Sequence, residues 1–145
     1  MHELMIVLLS MAPISELRGA IPVGVALGIN PLVVFFVSVL FNSLIFFPIY
    51  FSLDFFYEHL KKNNFIHKKI ERIRKKGHNA MEKYGIWGLI PFVAIPLPFT
   101  GAWTASIIAW LFDLEWWKSF IVITIGVLIA GIVVMSSVIG ISTIW

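Results

Sequence analysis

The chain has 145 residues, 59% of them hydrophobic and only 13% charged, with a mean hydropathy of +0.93. A soluble domain carries about a quarter charged residues, so this composition excludes an ordinary water-soluble fold and points to a small membrane protein built as one unit. The absence of cysteine excludes a disulfide frame, a thiol nucleophile and a cysteine-based metal site.

The net charge of +3 is unevenly placed: nine of the eleven Lys and Arg fall between Lys61 and Lys83, and the other two are Arg18 and Lys118. A basic block beside apolar stretches reads as a cytoplasmic loop, which accounts for it without invoking nucleic acid. The start, Met1-His2-Glu3, lacks the basic n-region of a signal peptide and is expected to be mature structure.

In chain order, Leu4 to Ser15 gives 12 uncharged residues before Glu16 and Arg18, and Gly19 to Ile29 adds a second short apolar run. Asn30 caps and Pro31 begins a helix expected to span the membrane to about Leu53. Pro48 is expected to kink it toward its end. From residue 55 to 83, Phe56, Leu60, Ile66, Ile70 and Ile73 recur at mostly helical spacing among Lys and Arg. This predicts one amphipathic connector helix on the cytoplasmic membrane surface. Tyr84 to Phe112 is uncharged but interrupted by Pro91, Pro96, Pro98 and Gly101. A second span is expected from Trp117 to Trp145, capped by Asp113 with Glu115 in its first turn. Trp116, Trp117 and Trp145 suit interfacial aromatic belts.

The two interrupted segments are too short on either side of their breaks to cross a bilayer. A half-helix of about 8–12 residues reaches only about 12–18 Å at 1.5 Å per residue, and proline bars its straight continuation. Re-entrant hairpins are the expected form, with tips buried in protein or lining a wet cavity. Pro13 to Ala20 lies over Ile95 to Ala102 with the Gly19-Ala20 and Gly101-Ala102 pairs in register, and a capped helix follows each. The expected fold is an all-α membrane protein and an inverted repeat. Each half is a re-entrant helical hairpin plus one transmembrane helix (1–54 and 84–145), and a basic amphipathic connector (55–83) joins them.

Glu16 and Arg18 are the residues most suited to chemistry. Ionisable groups at a membrane-buried tip are expensive and mark substrate or ion pathways. A carboxylate there feels desolvation and a neighbouring arginine in opposite directions, which suits proton coupling. An arginine suits a phosphate or carboxylate through bidentate contacts. The bland alternative is that the two pair with each other or cap broken helix ends. Gly19 and Pro22 complete the first tip; Pro96, Pro98, Thr100 and Gly101 form the second. Helix N-termini near Gly19 and Gly101 are expected to present N–H groups to an anion, with hydroxyls from Thr100, Thr104 and Ser106 beside the second tip, unless these bond only to local backbone. Asn42 and Ser43 read as interhelical packing glue. Gly126 with Ala130, and Ser136 with Gly140, favour close helix packing within or between chains. His2, His59, His67 and His78 show no metal-ligand spacing. No nucleotide loop, zinc-protease motif or hydrolase elbow is present, so neither enzyme activity nor a metal or cofactor is expected.

Through Ser15-Glu16-Leu17-Arg18-Gly19-Ala20-Ile21-Pro22 and Pro96-Leu97-Pro98-Phe99-Thr100-Gly101-Ala102-Trp103 the chain resembles the small multidrug export family, which looks like a compact branch of the DedA (VTT-domain) superfamily. The resemblance implies facing re-entrant hairpins, translocation of polyprenyl phosphates or phospholipids, and in some relatives dependence on the proton gradient. Glu16 matches an acidic residue of the first hairpin, and Arg18 and Pro22 fit its surroundings. Relatives usually carry arginines in the second hairpin, where Trp87 to Ser106 has none. The expected function is therefore translocation of an anionic lipid, with proton coupling as in some relatives, by a multi-pass plasma-membrane protein with residues 57–83 in the cytoplasm. The alternatives are a proton-coupled exporter of small amphipathic molecules and a noncatalytic scaffold subunit. Expected partners are the lipid bilayer, the anionic lipid or small amphipathic substrate, protons and a second copy in a homodimer.

Overall fold

A computed structural model describes residues 1–95, 97 and 100–145; Pro96 and Pro98, two of the expected tip residues, lie outside the described residues. Those described are helical, and no strand occurs among them. The helices are α1 (His2–Met11), α2 (Glu16–Ala26), α3 (Pro31–Leu44), α4 (Phe46–Leu60), α5 (Asn64–Tyr84), α6 (Leu89–Ala94), α7 (Ala102–Leu111) and α8 (Trp116–Ile144), with a 3-10 turn at Gly85–Gly88 before α6.

Among the described residues, two segments are long and apolar enough to cross a membrane. Pro31–Leu60 has 30 residues, its most apolar 18-residue stretch with mean hydropathy 2.5, and Trp116–Ile144 has 29 residues, its most apolar 18-residue stretch with mean hydropathy 2.7. The first starts as expected: the Asn30 side chain accepts from the Leu32 amide at 2.9 Å, with Pro31 at the first helical position. It runs seven residues beyond the expected Leu53 and is divided at Ile45 into α3 and α4. Pro48 explains the division, because it has no N–H to offer the carbonyl of Leu44 one turn earlier.

The expected start of the second span is corrected. Asp113 does not cap it: α8 begins at Trp116, and Asp113 (φ 52) lies in the turn that closes α7, where the Leu114 amide bonds back to the Ala109 carbonyl at 2.9 Å. The single connector helix is corrected too. Phe56 and Leu60 end α4, whereas Ile66, Ile70 and Ile73 belong to α5, which Asn63 starts afresh by accepting from the Phe65 amide at 3.0 Å.

Small residues let the helices approach. Lipid tails are as apolar as leucine, so association inside a bilayer depends on close packing rather than on hydrophobic transfer. A Cβ at Gly24 of α2 would run into Val34 of α3 and Ile6 of α1; one at Gly126 of α8 would meet Val93 of α6; one at Gly131 would meet Phe35 and Val39 of α3. Ala20, Ala102, Ala105 and Ala109 are buried beside them. The Gly126–Ala130 face thus packs within the chain, while Gly140 faces open space. Gly28 (φ 76) closes α2 in a left-handed turn that a side chain would strain. That tight turn returns α3 antiparallel to α2. Contacts of Gly131 with Phe35 and Val39, and of Phe120 with Phe46 (5.9 Å) and Phe47 (4.6 Å), set α8 antiparallel to α3 and the start of α4.

Candidate functional site

The breaks between α1 and α2 and between α6 and α7 each leave helix ends with unpaired backbone groups. In the second break these are the amides that open α7 and the carbonyls that close α6. The first helix pair supplies a charged side chain to each.

Arg18, on the first turns of α2, reaches across to the α6 side. Its Nη1 donates to the Leu97 carbonyl (2.5 Å), and its Nη2, with two hydrogens, has four acceptors within reach: the carbonyls of Ile95 (2.8 Å), Val93 (3.1 Å) and Thr100 (3.4 Å), and Thr100 Oγ1 at 3.4 Å. Arginine's five donors fit such a fan of acceptors. A cation also complements the negative end of a helix. Thr100 Oγ1 donates to the Ile95 carbonyl at 2.9 Å or the Leu97 carbonyl at 2.7 Å.

Glu16 does the reverse. Its carboxylate, only 5% exposed, sits over the start of α7 and accepts from the Trp103 amide at 3.3 Å, while Gly101 approaches so closely that a Cβ there would overlap the carboxylate. This is an N-cap delivered from a different helix, with charge matched to the positive end of the dipole. The Trp103 indole returns the contact by donating to the Met11 carbonyl at the end of α1, 2.9 Å. Glu16 has φ 47, a left-handed conformation that costs a non-glycine residue on the order of 1–3 kcal/mol and persists only where surroundings over-determine it.

Glu16 and Arg18 form no ion pair with each other: among the described residues, the salt bridges lie elsewhere. Each instead closes one side of the break between α6 and α7, which is the capping alternative weighed from sequence. Gly19 packs against Ser15, and Pro22 is carried inside α2, which starts at Glu16 rather than near Gly19. Gly101 immediately precedes α7, as expected. Ser106 bonds locally to the Ala102 carbonyl at 2.6 Å.

Two participants were not singled out from sequence. Trp103 carries both the amide and the indole that tie the pairs together; its only signal was its position directly after Gly101-Ala102. Arg74 of α5 donates from Nε to the Leu111 carbonyl at 2.5 Å and lies 3.4 Å from Asp113, while Gly77 seats the ring of Phe112. One more basic residue in a basic run gave no hint of that role.

Beside Trp103, a cleft of about 330 Å³ opens between α4 and α7, walled by Ile45, Pro48, Ile49, Ser52, Leu53, Trp103 and Ile107. Its floor is apolar, and the residue that shares its amide with Glu16 forms one wall.

Neither the curated proteins nor the solved structures provide a match. Among protein families, residues 16–133 match the one described as "Putative small multi-drug export protein". The match begins at Glu16, where the first break ends, and takes in the second break, the first long apolar segment and α8 as far as residue 133, so this membrane protein belongs to the small multi-drug export protein family.

Proposed function

We propose that the chain is a proton-coupled exporter of small amphipathic molecules, a multi-pass plasma-membrane protein whose α1/α2 and α6/α7 pairs are the re-entrant hairpins of an inverted repeat. In this reading α5 lies on the cytoplasmic face. The clasp of Glu16 on α7 and Arg18 on α6 is the observation that carries it. A clasp built on one carboxylate is releasable: a charged Glu16 accepts strongly from the Trp103 amide, and a protonated one loses both the charge-assisted bond and its attraction to the helix end. A substrate with a cationic group competes for the same carboxylate while its apolar body occupies the cleft beside Trp103. Proton and substrate then exclude each other at one residue, the minimum that antiport requires.

An anionic-lipid substrate, a polyprenyl phosphate or a phospholipid, is the second reading. It is favoured by the half-buried Arg18, whose donors already face a fan of oxygen acceptors. It demands that a phosphate replace those carbonyls. Proteoliposomes separate the readings. Under an imposed pH gradient, ethidium transport is expected for the wild type and lost in Glu16→Gln, with Arg18→Lys retaining part of it. Gradient-independent movement of a labelled anionic phospholipid, abolished by Arg18→Lys, would replace the exporter reading with the lipid one. No movement of either probe would overturn transport and leave the scaffold role.

A further inference from the structure

Buried serines in an apolar helix ordinarily satisfy themselves by bonding to a carbonyl one turn back, as Ser10 does to Ile6 (2.7 Å) and Ser106 to Ala102 (2.6 Å). Five hydroxyl or amide oxygens elsewhere in the chain do not. Ser38 Oγ, Asn42 Oδ1, Ser43 Oγ, Ser119 Oγ and Thr124 Oγ1 are buried with no hydrogen-bond partner among the described residues. Ser38 and Ser119 are 0% exposed, Asn42 1% and Ser43 4%. All five belong to α3 and α8, which pack on each other.

Their depths are fixed by the contacts that bracket them. Gly131 meets Phe35 and Val39 above, and Phe120 meets Phe46 and Phe47 below. Between these, the antiparallel run sets Asn42 and Ser43 level with Thr124. Ser38 lies one turn to one side, and Ser119 falls at the level of Phe46 and Phe47. Ser119, two turns before Gly126, lies on the side of α8 that faces α6, and the stretch from Ser38 to Ser43 beside Thr124 covers about 8 Å at 1.5 Å per residue. Its middle coincides with the clasp: α2 and α3 are antiparallel with Gly24 against Val34, so eight residues along each helix brings Glu16 level with Asn42.

One unpaired buried oxygen costs about 1–3 kcal/mol, and native structures usually resolve such groups with an ordered water. Four at one depth of one helix pair, beside serines that do satisfy themselves, point to a shared occupant. We infer that the α3–α8 seam is an internal water-binding file that brings solvent to the depth of Glu16. The ligand class is water, since the seam offers neutral oxygens and no carboxylate of its own for a bound cation. Its role in delivering protons to Glu16 rests on the proton-coupled reading; the presence of water does not.

The chain's lack of cysteine makes the test direct. Ser38→Cys, Asn42→Cys and Thr124→Cys are reconstituted singly and exposed to a small charged methanethiosulfonate, with Val39→Cys and Val127→Cys as buried apolar controls at similar depths. Wet positions are expected to react at least about tenfold faster than the controls, the equivalent of one pK unit of thiol burial. The unsubstituted protein gives a second measurement. Radiolysis of internal water is expected to oxidise Phe46, which is 0% exposed and packed against Phe120. Seam cysteines as slow as Val39→Cys, or an unoxidised Phe46, would overturn the water file. Fast labelling combined with ethidium transport indifferent to Glu16→Gln would uphold the file and overturn the coupling role instead.

Discussion

Gly101→Ala is the smallest change that addresses the clasp. Gly101 has φ −93 and ψ −168, ordinary extended backbone that alanine adopts without strain, so the entire effect comes from the added methyl. That methyl would occupy the position of the Glu16 carboxylate, which must leave the α7 terminus. Losing a hydrogen bond to a charged group and its favourable interaction with the helix end sums to about 2–4 kcal/mol. For a chain of this size that lowers the unfolding midpoint by roughly 5–15 °C, measurable as thermal aggregation of detergent-solubilised protein. The decisive assay is a double-mutant cycle. Once Glu16 has become alanine, Gly101→Ala has nothing to displace and is expected to cost under about 0.5 kcal/mol, so the two changes are strongly coupled. A Gly101→Ala penalty that persists undiminished in Glu16→Ala protein would refute the clasp, as would a neutral single substitution.

Arg18→Lys keeps the charge but not the fan of donors. It is expected to destabilise by about 1–3 kcal/mol because at least two of the α6-side carbonyls lose their partner, read as a lower aggregation midpoint. Gly24→Val should be more disruptive than the same change at Gly140, since only the former meets Val34 and Ile6; expression of monodisperse protein distinguishes them. Tyr50→Phe removes the bond from the hydroxyl to the Leu114 carbonyl (2.8 Å) and is expected to cost about 1 kcal/mol, with ethidium transport intact.

The broad architecture was legible because its signals are redundant. The two long spans announce themselves by length, and the Asn30-Pro31 start by two independent cues that agree. The errors arose where a residue had two uses. Asp113 carries the side chain of an N-cap, but its backbone is taken by the turn that ends α7, and its carboxylate by Arg74. Ile66 and Phe56 share a helical period across a break that a period alone does not register. Glu16 and Arg18 stood out as charges in an apolar setting, yet their partners lie seventy-five or more residues away in sequence. No spacing rule foretells that an arginine will close the carbonyl end of one helix while a glutamate two positions earlier closes the amide end of another.

The position of α7 has a mechanical consequence. It is a ten-residue rod, about 15 Å long, held at its first residues by Glu16 and at its last carbonyl by Arg74 of α5. Neither grip is an apolar contact that slides; both are bonds with a direction. On the proposed exporter reading, a tilt or translation that frees one end loads the other, and α7 is then a two-ended lever between the acidic residue of the first helix pair and the basic helix α5. Whatever α5 rests upon, and however firmly, becomes a setting for how easily Glu16 lets go.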